Sequence, residues 1–147
     1  YNTGIYLHTI ALASSGLTYQ EESGTGDLMT FNLYTETSGF ESGTYDFTNY
    51  SPSAGKADYA VLWVNLNASS WTADHMYRAN EGTIMVNKDG ASYDISFNLT
   101  VLEIDQETDN PIEEEQTLTG NYSGSLSYYD QSGQTMKNNS RFILSPK

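Results

Sequence analysis

The sequence predicts an all-β protein, and three observations carry that prediction. Residues 93–101 alternate without a break, with large apolar side chains at the odd positions and polar side chains at the even ones. This period of two is typical of a strand with one buried face. Tyr, Thr, Ser, Asn and Gly are abundant and there are only 3 prolines, a composition typical of exposed sheets. No segment shows a sustained helical period, so we expect strands joined by loops.

The region from Gly82 to Tyr129 is predicted to be a meander of three consecutive antiparallel strands. The strands cover residues 82–86, 93–101 and 117–128, and each is bounded by turn-forming residues. The rest of the chain is expected to be organised around this unit.

The first turn of the meander predicts a register. Asp89-Gly90 is a pair typical of a two-residue hairpin loop. That loop places Val86 opposite Tyr93 and Ile84 opposite Ile95, so apolar residues meet on one face.

The third strand of the meander has two distinct faces. Gly120 and Gly124 share the inner face, where the missing side chains are expected to leave room for aromatic rings. The outer face of the second and third strands carries small, uncharged polar residues: Ser96, Asn98, Thr100, Thr117, Thr119, Asn121, Ser123, Ser125 and Ser127. The pattern favours ordinary sheet surface, and an interface or ligand face is the alternative.

Shorter apolar or alternating runs predict the remaining strands. These lie at residues 3–12, 27–35, 44–47, 58–67 and 141–144. Residues 70–80 are predicted to be an irregular loop with at most one helical turn. About nine strands without a long helix predict one domain over residues 1–147, a single antiparallel β-sandwich of the immunoglobulin-like or jelly-roll-like kind. A lipocalin-like barrel is the alternative.

Charge and cysteine content exclude several classes of function. The formal net charge is −13, from 19 acidic and 6 basic residues, which argues against binding nucleic acid or an anionic membrane. The chain has no cysteine, so disulfide scaffolds, thiol chemistry, zinc fingers and Fe–S clusters are excluded. No apolar run approaches the length of a transmembrane segment. Because the sequence begins at Tyr1 without Met, we expect a mature or trimmed chain.

Catalysis is poorly supported by the sequence, and the protein is predicted not to be an enzyme. The two histidines are His8, in a strand, and His75, in a loop. The run from Gly120 to Gly124 only superficially resembles a nucleophile elbow, because its serine is misplaced and lies within a strand. The many carboxylates do not single out a catalytic pair.

Calcium is the one metal that the sequence suggests, and no other cofactor is predicted. Asp105, Glu107 and Asp109 place oxygen ligands at alternate positions of one loop, as hard cations require. The pattern departs from an EF-hand, because neither the turn glycine nor the final bidentate acid is present. The simpler interpretation is a solvated acidic loop.

Carbohydrate binding is a further candidate function. Sheet proteins bind sugars by stacking exposed aromatic rings on them, with amide and hydroxyl groups supplying hydrogen bonds. Trp71 lies in a polar segment, Tyr77 is close to it in sequence, and one of Tyr128 and Tyr129 must face outward, so Trp71, Tyr77 and Tyr129 are the predicted ligand-binding residues. The simpler interpretation is that Trp71 caps one end of the core, and Trp63 is expected to be a core residue.

Three short patterns together resemble small secreted or lipid-anchored β-sandwich proteins of Bacteroidetes. They are Ser42-Gly43-Thr44-Tyr45, the pair 82–86 and 93–97, and Gly120-Asn121-Tyr122-Ser123-Gly124. The resemblance implies a secreted or cell-surface location, as an outer-membrane lipoprotein that has lost its signal peptide. It also implies a place beside SusC/SusD-type uptake complex proteins. The lipobox cysteine of such an anchor is not in this sequence.

These observations lead to one expected function and two alternatives. The expected function is a non-catalytic binding or accessory module, for glycan or nutrient ligands, beside an outer-membrane uptake system. One alternative is a pilin-like structural subunit joined through its edge strands. The other is a lipocalin-like carrier of a small ligand.

Overall fold

The computed structural model describes residues 4–14, 16–18, 23–37, 40–48, 53–112, 114–125 and 141–146. Within these residues the protein is all-β, with nine strands and no helix, so the predicted fold class is confirmed. The strands are β1 (Tyr6–Ala13), β2 (Leu17–Thr18), β3 (Ser23–Thr35), β4 (Gly43–Phe47), β5 (Lys56–Asn67), β6 (His75–Asp89), β7 (Ser92–Glu103), β8 (Gln116–Ser125) and β9 (Arg141–Pro146).

All nine strands belong to one hydrogen-bonded sheet. Its order is β1-β3-β5-β4-β6-β7-β8-β9, with β2 paired to the end of β3. Neighbours are antiparallel except β4 and β5, which pair in parallel through Asp46 with Lys56 and Phe47 with Ala57. The sheet is therefore mixed and curls into a half-barrel, and the predicted two-sheet sandwich is not confirmed.

Residues from distant strands share the main core, which lies on the concave face of the curl. Phe31 of β3 and Phe97 of β7 have ring centroids 6.2 Å apart, although three strands separate them in the sheet order. Complete burial of side chains such as Phe31 and Leu33 contributes about 1.5–3 kcal/mol each. Met29, Phe31 and Leu33 alternate along the strand predicted at residues 27–35, and all three belong to this core.

A smaller core lies on the opposite face of β1, β3 and β5. It contains Ala11, Ala13, Leu17, Leu28, Leu66 and Ala68. Ile10 and Leu12 of β1 belong to the main core, whereas Ala11 and Ala13 belong to the smaller one. Both faces of β1 are thus buried at this end, where Leu17 of β2 packs on the sheet.

The meander of β6, β7 and β8 is confirmed, but the predicted register of its first hairpin is wrong. Val86 pairs with Ile95 rather than with Tyr93, because the two loop residues are Gly90 and Ala91 instead of Asp89 and Gly90. Gly90 has a φ of 60° and takes the first loop position, where a positive φ is required. The pairing changes by two residues, so every side chain stays on its predicted face.

The predicted role of the two inner glycines of β8 is confirmed. Gly120 pairs with Phe97 and Gly124 pairs with Tyr93, so each glycine lies directly opposite an aromatic residue of β7. The small polar residues also pair as predicted on the outer face, for example Asn98 with Thr119. The part of the predicted strand beyond Ser125 lies outside the described residues.

The prediction for residues 70–80 is wrong in its second half. Only the start of this segment is a turn, and β6 begins at His75. Tyr77 and Ala79 point into the main core, while Met76 and Arg78 occupy the other face. A bulge between Ala79 and Glu81 interrupts the period of two, which is why alternation was not visible in the sequence.

No helix in the described residues is long and apolar enough to cross a membrane, as predicted.

Candidate functional site

The loop between β5 and β6 is a single turn held together by Asn67. The amide of Trp71 donates to the carbonyl of Asn67 at 2.8 Å, and the amide of Asn67 donates to the carbonyl of Thr72 at 2.8 Å. The side-chain oxygen of Asn67 accepts from the amides of Ser69 and Ser70, at 3.0 and 3.3 Å. The bond from Trp71 to Asn67 closes one α-turn, which is the helical turn that the sequence allowed.

Trp71 occupies the last position of this turn in a left-handed conformation. Its φ is 54°. Glycine or asparagine is the usual residue at such a position, because a Cβ atom there costs about 1–2 kcal/mol. The Trp71 side chain is 45% exposed. Tryptophan, the largest residue type, therefore occupies a position where the backbone conformation favours glycine, and it is exposed there.

Trp63 of β5 supports the Trp71 ring. The two ring centroids are 6.3 Å apart and the planes meet at 71°, an edge-to-face contact. Such contacts contribute about 0.5–1.5 kcal/mol beyond simple burial. Trp63 packs on the smaller core but is only half-buried, so it is less buried than a core residue, which the sequence predicted it to be. The contact with Trp63 leaves Trp71 partly accessible to solvent, at 45% exposure.

Polar groups on the same hairpin surround the turn. The hydroxyls of Ser70 and Thr72 are hydrogen-bonded to each other at 2.8 Å. The side-chain amide of Asn65 donates to the carboxylate of Asp74 at 2.8 Å. All four residues are exposed, so the ring of Trp71 is carried by a hairpin that presents hydroxyl, amide and carboxylate groups to solvent.

The structure separates two of the predicted ligand-binding residues, Tyr77 and Trp71. Tyr77 is only 6% exposed and lies in the main core, with its ring centroid 6.2 Å from that of His75. Its position on β6 points it into the concave face, so its prediction as a surface ligand residue is corrected. Tyr129 lies outside the described residues. The aromatic residue that Trp71 contacts is instead Trp63, which was predicted to lie in the core.

Tyr59 is an exposed aromatic residue that the sequence did not single out. It is 53% exposed and has a φ of 48°. Tyr59 is exposed because β5 is irregular at this residue, as its positive φ shows. The residue types of this apolar run do not predict that irregularity.

Two of the three predicted calcium ligands, Asp105 and Asp109, already have partners in the protein. The Asp105 carboxylate accepts from the amides of Glu107 and Thr108, at 2.9 and 2.8 Å, and these bonds hold its pKa below its ordinary value. Asp109 is ion-paired with Arg78 at 2.5 Å, which also lowers its carboxyl pKa. Across the described residues, no three His, Cys, Asp or Glu side chains are grouped as a metal site. The Asp105 carboxylate therefore holds the turn of this loop, and the Asp109 carboxylate links the loop to β6.

His75 has a carboxylate partner, but not the one next to it in sequence. Its Nδ1 lies 2.6 Å from an Oε1 atom of Glu103, which is buried at the end of β7. Asp74 instead accepts from Asn65. The sequence does not reveal this partner, because Glu103 lies 28 positions after His75.

His8 is buried at the opposite end of the sheet from this pair. It is 5% exposed and lies in β1, so the predicted strand position is confirmed, and its Nε2 lies 2.8 Å from the Thr35 hydroxyl. Burial lowers its pKa below the ordinary value of 6.5, and the Thr37 carbonyl and the Glu41 charge offset part of that effect.

The free energy of unfolding is expected to fall as the pH drops below 6.5, in part because of His8. The unfolded chain takes up a proton at this residue at a higher pH than the folded chain does, so acid favours unfolding until the folded-state pKa is passed. Chemical denaturation at pH 7.5 and pH 5.5 measures the loss. In the His8→Gln variant this loss of unfolding free energy should be smaller. His75 and the carboxylates are present in both proteins, so the difference between the two losses isolates His8. Equal losses in both proteins would show that His8 does not contribute.

Comparison with protein-family models, with curated proteins and with solved structures finds no match to this chain.

Proposed function

We propose that this protein is a non-catalytic binding module for neutral carbohydrate and that the Trp71 ring is its contact surface. The observation that carries the proposal is that Trp71, strained and exposed, lies on a turn whose neighbouring exposed side chains offer hydroxyl, amide and carboxylate groups. Residues with a strained backbone conformation cluster at functional sites, where the side chain has a role. Glycine would form the same turn without strain, so the turn alone does not require tryptophan.

The chemistry of the hairpin suits a sugar. An indole face stacks on the apolar face of a pyranose ring, and the polar side chains of the hairpin can exchange hydrogen bonds with sugar hydroxyls. A protein with 19 acidic and 6 basic residues repels sulfated or uronic acid chains, which favours a neutral glycan.

We extend the proposal to the location that the resemblance implies, at the cell surface. A module of this kind, secreted or anchored at the outer membrane, would hold glycan close to an uptake complex of the SusC/SusD type.

The curled sheet with one concave core favours a barrel-like architecture over a two-sheet sandwich, because side chains from β3 and β7 meet across the concave face.

A panel of soluble glycans tests the proposal. Isothermal titration would compare neutral chains, such as xylan, mannan, β-glucan and starch oligosaccharides, with acidic chains, such as polygalacturonate and heparin. We expect saturable binding to at least one neutral chain and none to the acidic chains. Binding to acidic chains alone, or to no chain at all, would contradict the proposal.

A further inference from the structure

The turn that carries Trp71, residues 67–73, is tied to the rest of the sheet on both of its sides. On one side the amide of Ala68 donates to the carbonyl of Gly24 at 3.1 Å, which links the turn to β3. On the other side the turn ends at Ala73, whose backbone is bonded to the loop between β7 and β8, residues 104–115. These two contacts join the turn to different parts of the sheet, and so they set how the Trp71 ring is oriented.

Gln106 makes the second of these contacts with both ends of its side-chain amide. Its Oε1 atom accepts from the amide of Ala73 at 3.2 Å, and its Nε2 atom donates to the carbonyl of Ala73 at 2.8 Å. The next backbone amide, that of Asp74, donates within the hairpin to the carbonyl of Val64. Gln106 thus gives Ala73 the pair of hydrogen bonds that a neighbouring strand would give.

Gln106 is itself held by the loop that carries it. The Asp105 carboxylate accepts from two amides of the loop, and the amide of Asp105 donates to the carbonyl of Asn110 at 2.8 Å. The ion pair of Asp109 with Arg78 then anchors the loop to β6. Because the loop is fixed both at its turn and at its anchor, the Gln106 side chain reaches Ala73 from a defined position.

The residue type at position 106 fits this contact. Bonding both the N–H and the C=O of one residue requires a side chain with a donor and an acceptor, which an amide has and a carboxylate lacks. Gln106 stands between Asp105 and Glu107 in an acidic stretch of the chain. The one position of this stretch that bonds to Ala73 is therefore occupied by an amide rather than by a carboxylate.

We propose that Gln106 is a positioning residue for the glycan site and that its amide holds the Trp71 ring in the orientation that a sugar recognises. The proposal rests on the proposed function, because it assigns Gln106 to the same site. A ring that is held before the ligand arrives pays less conformational entropy on binding. Gln106 acts through the turn and needs no contact with the sugar.

Gln106→Met and Gln106→Glu test the proposal, because both keep the length of the side chain. Methionine has no donor and only a weak acceptor, whereas glutamate can accept from Ala73 but cannot donate to it. Both are made in Trp63→Phe, where Trp71 is the only indole. We expect Gln106→Met to lower the fluorescence anisotropy of Trp71 and to weaken neutral glycan binding about five-fold. Gln106→Glu should lose less of both, and Glu107→Gln, a control in the same loop, should lose neither.

Melting temperatures separate positioning from folding. That of Gln106→Met should stay within about 4 °C of the Trp63→Phe background, because the lost bonds are exposed. Unchanged anisotropy of Trp71, or unchanged glycan affinity despite lower anisotropy, would overturn the proposal. A fall in anisotropy with a much larger fall in melting temperature would also overturn it, since Gln106 would then serve the fold as a whole. A background protein that binds no glycan would refute the proposed function instead, and the anisotropy would still decide whether Gln106 holds the turn.

Discussion

Replacement of Gly82 by alanine is expected to lower the free energy of unfolding by about 2–5 kcal/mol, the sum of a backbone and an overpacking cost. Gly82 has a φ of 128°, a conformation that residues with a Cβ atom rarely adopt. An added Cβ would lie 2.3 Å from the carbonyl oxygen of Asn98 and 2.7 Å from the Cα of Leu99. Both are backbone atoms of β7, the strand that pairs with Gly82, so the clash is relieved only by moving the two central strands apart. The melting temperature should drop by about 4–20 °C.

Gly55→Ala is the matched control for this prediction. Gly55 also has a positive φ, of 77°, but nothing lies within 4 Å of its added Cβ. Its substitution therefore carries the backbone cost alone, about 1–2 kcal/mol. Urea unfolding of the two variants separates the steric contribution from the conformational one. If Gly82→Ala is no less stable than Gly55→Ala, the close packing of β6 on β7 at this residue is contradicted.

Replacement of Trp71 by glycine is expected to weaken glycan binding about 30-fold or more, as for other central aromatic contacts. The same change should leave the free energy of unfolding within about 1 kcal/mol of wild type, because two contributions oppose each other. Glycine removes the strain at a φ of 54° but also the edge-to-face contact with Trp63. A tryptophan that served the core would behave differently, since truncation of a buried aromatic residue costs about 3–5 kcal/mol.

Tyr59→Gly is the control for the loss of binding. Tyr59 is also an exposed aromatic residue with a positive φ, but it lies on β5 outside the Trp71 turn. The control variant should bind glycan as the wild type does. A large loss of stability in Trp71→Gly with unchanged binding would assign Trp71 to the structure of the hairpin alone.

Local patterns predicted much of the fold. The alternation in β3, β7 and β8 was sufficient to assign strand positions and buried faces, because the side-chain period of a strand is set by backbone geometry. The glycines opposite Tyr93 and Phe97 were predictable for the same reason. A loop shift of one residue changed the pairing of Val86 but not its face.

The global arrangement was not predictable. The parallel contact of β4 with β5 joins strands that are adjacent in the chain, and nothing in their sequences distinguishes it from an antiparallel contact. The curl that brings Phe31 to Phe97 is a cumulative property of the whole sheet and is not encoded in any one strand.

The candidate site was predicted only in part. Trp71 was identified because a polar segment surrounds it, but its left-handed backbone depends on hydrogen bonds to Asn67 that sequence patterns do not show. Tyr77 was misassigned because a bulge hid the start of β6. The partnership of Glu103 with His75 joins residues 28 positions apart, which spacing alone does not reveal.

The central claim is that the Trp71 ring itself contacts the sugar, and its own fluorescence tests this most directly. The chain has 2 tryptophans, so Trp63→Phe leaves Trp71 as the only indole and keeps an aromatic ring beside it. During titration with the neutral glycan that gives a heat of binding, the Trp71 emission should change saturably, with the same midpoint as the heat. A heat of binding without any change in this emission would contradict the account.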